Sequence, residues 1–157
     1  MPGGLDQLVR CHDRLRDCLA DLADAVTHLE RDGASIEAWG ALRDIAQDME
    51  RRARRHEEDE DLSLFPRLTH APVPIGPTLE TLAAEHLHHE ALAALLRGLL
   101  ARQATAKELR DVCDEMAESF ARHMDLEERV IFPYASATLD RAACESMRDE
   151  MDQRRGR

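Results

Sequence analysis

Residues 54–66 read "RRHEEDEDLSLFP" and residues 122–133 read "RHMDLEERVIFP". In each, a histidine is followed four positions on by a glutamate, and an aromatic-proline pair closes the segment. The first holds His56, Glu60 and Phe65-Pro66; the second holds His123, Glu127 and Phe132-Pro133, all displaced by 67 positions. Residues four apart share one face of a helix, so each pair presents an imidazole and a carboxylate in the same direction. The direction is inward, because both pairs continue an apolar seam. Leu42, Ile45, Met49 and Ala53 lead into His56, Glu60 and Leu64, while Leu109, Val112, Met116 and Phe120 lead into His123, Glu127 and Val130.

Two further seams carry histidines. Leu8, His12, Leu15, Leu19, Leu22, Val26 and Leu29 run through a segment spanning 5–31, which Gly33 ends. Leu79, Leu82, His86, His89, Ala93, Leu96 and Leu100 run through another that extends to about Arg102. Ser35 is the expected N-cap of the second helix, which reaches about Leu68, and Thr78 that of the third. Thr105 with Glu108 predicts a capping box for the fourth, which reaches about Pro133. The loop "THAPVPIGP" at 69–77 separates two helical hairpins, 5–68 and 78–135, and a short fifth helix is expected over 138–154. The fold class is therefore all-α: an up-down-up-down four-helix bundle with a C-terminal fifth helix.

Helical rise sets the level of each histidine. His12 lies about 29 Å before the end of the first helix, and His56 about 32 Å after the start of the second. His86 lies about 24 Å before the second hairpin's turn, and His123 about 27 Å after it. Antiparallel packing thus gathers four histidines and two glutamates into one layer of the core. An ionised carboxylate taken out of water without a partner costs several kcal/mol, so such a layer makes a poor core unless cations fill it. Nitrogen and carboxylate donors suit iron, manganese or zinc. The expected ligands are His12, His56, Glu60, His86, His123 and Glu127.

Composition sets the wider bounds. The chain has 157 residues and few aromatics, which fits one helical domain over 1–157. A net charge of −11 without a basic block speaks against nucleic acid as a partner. No apolar run reaches a membrane span, and "MPGGLDQLVR" lacks the apolar stretch of a signal peptide. Cys11, Cys18, Cys113 and Cys144 form no CxxC pair, so reduced thiols in a cytoplasmic protein are expected. A ferritin-like site would need Glu-x-x-His, whereas here the order is reversed and the spacing longer.

At these residues the chain resembles the hemerythrin-like family, also called the HHE cation-binding domain. "CHDRLRDCL" and "EHLHHEALAALL" are similar to its first- and third-helix motifs, and the two His-x-x-x-Glu segments to its second and fourth. "MRDEMDQRR" resembles a frequent ending. The resemblance implies two iron ions per chain, with His12, His56, His86 and His123 as terminal ligands. Glu60 and Glu127 would bridge the irons, with oxo, hydroxo or water completing the bridge. It also implies a small diatomic or peroxide ligand, and either reactions with dioxygen, nitric oxide or peroxide or a role as an iron or oxygen sensor acting through an unknown protein partner. Oxygen carriers of the family have a second third-helix histidine where this chain has Glu90, and Asp at a longer spacing where it has Glu127. Glu90 and His89 are accordingly further candidate ligands, and reversible oxygen carriage is disfavoured. Glu57, Asp59, Asp61 and Glu128 are read as solvated charges, and His28, His70 and His88 as surface residues.

Overall fold

Three helices begin where a short polar side chain takes up a free backbone N–H. In the computed structural model, which describes residues 3–156, Ser35 accepts from the Ala38 N–H, Thr105 from Glu108 and Asp140 from Ala143. Glu108 returns the bond by accepting from the Thr105 N–H at 2.9 Å, which completes the expected capping box.

The helices are α1 (Gly4–Asp32), α2 (Ile36–Asp59), α3 (Ile75–Ala101), α4 (Ala106–Leu126) and α5 (Arg141–Arg154). No strand occurs among the described residues. Gly33 ends α1 at φ 83°, a conformation that suits glycine, with its N–H bonded to the Leu29 carbonyl. One expected start is corrected. Helix α3 begins at Ile75, not after Thr78, whose hydroxyl donates to the Pro74 carbonyl instead. Pro77 falls in its first turn, where a missing N–H costs nothing.

Helices α2 and α4 do not stop at their site glutamates. Each widens into a π-helical turn, Glu60–Leu64 and Glu127–Ile131, and resumes as Phe65–Arg67 and Phe132–Thr138. The Phe65 N–H bonds to the Glu60 carbonyl and the Phe132 N–H to that of Glu127, each five residues back. Pro66 and Pro133 explain the widening. A proline has no N–H for the ordinary bond, and its ring crowds the carbonyl four residues back. The fourth helix consequently passes the expected end at Pro133. The wider turn also brings the residue five past each glutamate inward, so that Phe65 and Phe132 are both buried.

Helices α1, α2, α3 and α4 form the bundle, with α1 and α3 each packed against both α2 and α4. Its apolar interior falls into two clusters. The larger runs from Leu15, Leu22 and Leu42 to Leu96, Leu109 and Phe120. The smaller gathers Leu5, Leu8, Leu64, Leu82, Ile131 and Phe132 beneath Met147 and Met151 of α5. Between them lies the buried polar layer of His12, His56, Glu60, His86, His123 and Glu127.

Truncation separates packing from position. Leu42→Ala, at a fully buried site, is expected to cost about 3 kcal/mol in chemical denaturation. Leu62→Ala, at a position 60% exposed within the first π turn, is expected to cost less than about 0.5 kcal/mol.

Candidate metal centre

The six expected ligands meet in the polar layer. Their donor atoms form two sets, His12, His56, Glu60 and Glu127, and Glu60, His86, His123 and Glu127, with the atoms of each set within 4.8 Å of one another. Both glutamates belong to both sets. Glu60 turns Oε1 to His56 Nε2 at 3.0 Å and Oε2 to His86 Nε2 at 3.2 Å. Glu127 turns Oε2 to His12 Nε2 at 3.1 Å and Oε1 to His123 Nε2 at 3.3 Å. Each carboxylate therefore spans the two sets, the disposition required to hold two cations close together.

Electrostatics mark the layer as built for positive charge. All four carboxylate oxygens are buried and make no hydrogen bond of acceptable geometry. Burial alone would favour the neutral acid of Glu60, yet the surrounding imidazoles, His56 foremost, hold its pKa well below the ordinary carboxylate value. Burial likewise favours a neutral His56, but Glu60, Cys11 and Glu127 raise its pKa well above 6.5. His86 is desolvated too, and Asp61 and Glu60 still lift it to about 9. Glu127 and Glu60 outweigh the burial of His123 and lift it to about 11. Protons here occupy places that suit metal ions.

An outer ring of polar groups orients the imidazoles. Nδ1 of His12 bonds Glu128 at 2.7 Å, that of His86 bonds Asp61 at 3.0 Å, and that of His123 bonds Glu85 at 2.8 Å. A carboxylate on Nδ1 keeps a proton there and leaves the Nε2 lone pair facing inward. The ring follows the internal repeat. Asp61 and Glu128 each follow a glutamate shared by both donor sets and serve a histidine of the other hairpin. Glu85 precedes His86 and serves His123. Its counterpart, Cys11, precedes His12 and stands beside His56, whose Nδ1 lacks a hydrogen bond. Phe65 stacks on His86 at 5.8 Å and Phe132 on His12 at 5.2 Å, closing the layer on both sides.

The two further candidates lie outside both sets. His89 is buried, but its Nδ1 bonds Glu57 at 2.8 Å and its Nε2 bonds Ser119 at 3.0 Å, leaving no nitrogen free. Its ring stacks on Phe120 at 3.8 Å. Burial, with His123 and His86 nearby, lowers its pKa to about 3, and burial raises that of Glu57 to about 8. A neutral Glu57 thus donates to Nδ1 while the Nε2–H donates to Ser119. Glu90 is exposed, as are His28, His70 and His88.

Two readings of solvated charge are corrected. Glu57 is buried against His89. Asp59 is 1% exposed and held by Arg154 at 2.9 Å and by Arg155. Charge along α2 does not reveal these arginines, which arrive from the last residue of α5 and the one after it. Asp61 and Glu128 keep solvent contact, as expected, while bonding His86 and His12.

A helical bundle with a buried layer of paired His/Glu sets defines a metal-binding protein. The sequence profile of the hemerythrin HHE cation binding domain matches residues 3–135 and 77–155, and the chain belongs to that family. A Haemophilus influenzae protein described only as uncharacterized is 24% identical over 128 residues, covering 79% of this chain and 74% of that protein.

The pKa shifts fix a pH dependence for the metal-free protein. His86 and His123 titrate above their ordinary 6.5, so their stabilising contribution is complete below pH 6.5 and lost as pH rises through about 9 and about 11. Glu57, raised from 4.5 to about 8, disfavours the fold increasingly across that interval. Both effects have one sign between pH 6.5 and 8. Thermal melts of metal-free protein are expected to fall across this range, while metal affinity rises as fewer protons must be displaced.

Proposed function

We propose that the protein is a cytoplasmic, single-domain non-haem di-iron protein, an up-down-up-down bundle that binds or reacts with dioxygen, nitric oxide or peroxide. The observation that carries this reading is the pair of carboxylates, Glu60 and Glu127, each turned towards both donor sets with no hydrogen bond of its own. Iron fits the donors, which are imidazole nitrogens and carboxylate oxygens without a thiolate. Two irons, when bound, would supply redox electrons and an open position for a diatomic or peroxide ligand. The protein's part is positioning and exclusion. His12, His56, His86 and His123 would be the terminal ligands, with Asp61, Glu85 and Glu128 holding three of the rings. Phe65, Phe132 and the two apolar clusters keep bulk water from the layer.

The test is anaerobic loading with ferrous ion, followed by dioxygen, nitric oxide and hydrogen peroxide in separate samples. At least one is expected to change the optical spectrum of loaded protein and leave metal-free protein unchanged; silence towards all three contradicts the reading. His56→Ala and Glu127→Ala are each expected to lower iron content and thermal stability together. Full loading of both variants would refute the ligand assignment.

A second reading, an iron or oxygen sensor that signals through a partner, draws support from α5. Arg154 and Arg155 hold Asp59, while Glu150 accepts from Ser63 at 2.6 Å and from Arg67 at 2.6 Å. These bonds grip the first π turn on both sides of Glu60. A change in metal or redox state at Glu60 would then reach the C-terminal helix. Proteolysis within 138–157 is expected to slow on iron loading under the sensor reading, and rates that ignore metal and redox state would exclude it.

A further inference from the structure

A cavity of about 250 Å³ opens beside the layer, between α2, α3 and α4. Ala53 of α2, Ala93 of α3, and Met116 and Phe120 of α4 supply its apolar wall. The inner end is closed by His86 and by His89 with its partner Glu57. The space far exceeds what a dioxygen- or peroxide-sized ligand requires, since a water molecule's share of the liquid is about 30 Å³. It approaches the lower range of pockets that take small organic molecules.

Charge at the mouth narrows the class of ligand. Glu50 pairs with Arg97, and Glu58 pairs with Arg54 at 3.3 Å, so these acids are balanced. Glu57 and Asp61 are engaged by His89 and His86. Glu90 has no ion-pair partner among the described residues, and it stands exposed on the rim. Its carboxylate would face a charged group on a ligand seated over Phe120 and Met116. A cation is favoured there and an anion is repelled.

We propose that this cavity is a binding site for a small organic amine, its apolar body seated on Met116 and Phe120 and its ammonium group at Glu90. The site gives Glu90 a role outside the metal layer. Occupation does not depend on metal, because none of the groups assigned to hold the amine belongs to the donor sets. An amine seated here would lie against His86, and would thereby screen one side of the layer from solvent.

Three probes with the same ring and different heads test the proposal: benzylamine, benzyl alcohol and benzoate, titrated into the full chain by calorimetry at neutral pH. The titrations are made on iron-loaded protein and repeated after iron removal, which separates this site from the di-iron reading. Benzylamine is expected to bind once per chain in both states, about fivefold or more tighter than benzyl alcohol, and benzoate is expected not to saturate. Glu90→Gln should erase the preference for the amine while leaving metal content unchanged. Ala93→Phe, which fills the cavity, should abolish binding of benzylamine. Equal affinity for all three probes, no saturable binding of benzylamine to the folded chain, or an undiminished amine preference in Glu90→Gln would overturn the assignment. So would loss of metal from Glu90→Gln, which would make the residue a ligand.

Discussion

Two buried carboxylates govern the architecture. Glu60 and Glu127 are wholly removed from solvent, and among the described residues their oxygens pair with imidazole nitrogens. Taking each charge out of water costs several kcal/mol unless strong positive partners replace the solvent. Four imidazoles surround the pair, and protons raise three of them towards positive charge at neutral pH. The apolar core is split into two clusters as a result. Metal ions would replace the protons with fixed charge and turn the polar layer into a cross-link joining four helices.

The internal repeat supplies the symmetry with which this is done, and its departures supply direction. Both hairpins carry, near their end, a π turn that begins at the shared glutamate and is followed by a phenylalanine stacked on a histidine. Both offer a carboxylate, from Asp61 or Glu128, to the other hairpin's first-helix histidine. Symmetry fails at His56, where Cys11 replaces the acid that Glu85 supplies to His123, so the two ends of the layer have different basicity. It fails again at the C-terminus, because among the described residues the polar bonds from the C-terminal segment to the π turns go to the first, through Asp59 and Ser63. A third difference is the cavity against His86 and His89. The cavity, the partners of the imidazoles and the bonds from α5 thus each lie on particular sides of a nearly two-fold layer.

Much of this was legible in the sequence, because helical periodicity reports which side chains share a face. The seams through His12, His56, His86 and His123, the capping box at Thr105 and the stop at Gly33 are local or strictly periodic features. The π turns were not legible as such, although the aromatic-proline endings carried the signal: a proline four residues after a carbonyl that must go elsewhere. Burial of Asp59 and Glu57 was also missed. Their partners, Arg154, Arg155 and His89, lie on other helices or just past the end of one, and charge along one helix does not show what another brings to it. The start of α3 was misplaced because Thr78 has the chemistry of a cap, while Pro77 was already compatible with a first turn. Glu90 and His89 show the same limit at the site. Spacing brought both within one turn of a ligand, but rotation about the helix axis and partners on α2 and α4 assign them elsewhere.

The central claim is that one layer, bridged by Glu60 and Glu127, holds two metal ions. Elemental analysis of protein expressed with iron and purified without oxygen tests it most directly. The account predicts close to two irons per chain, with Glu127→Ala well below that value. No tightly held metal, even after anaerobic reconstitution, would contradict it and leave the buried carboxylates without their counter-charge.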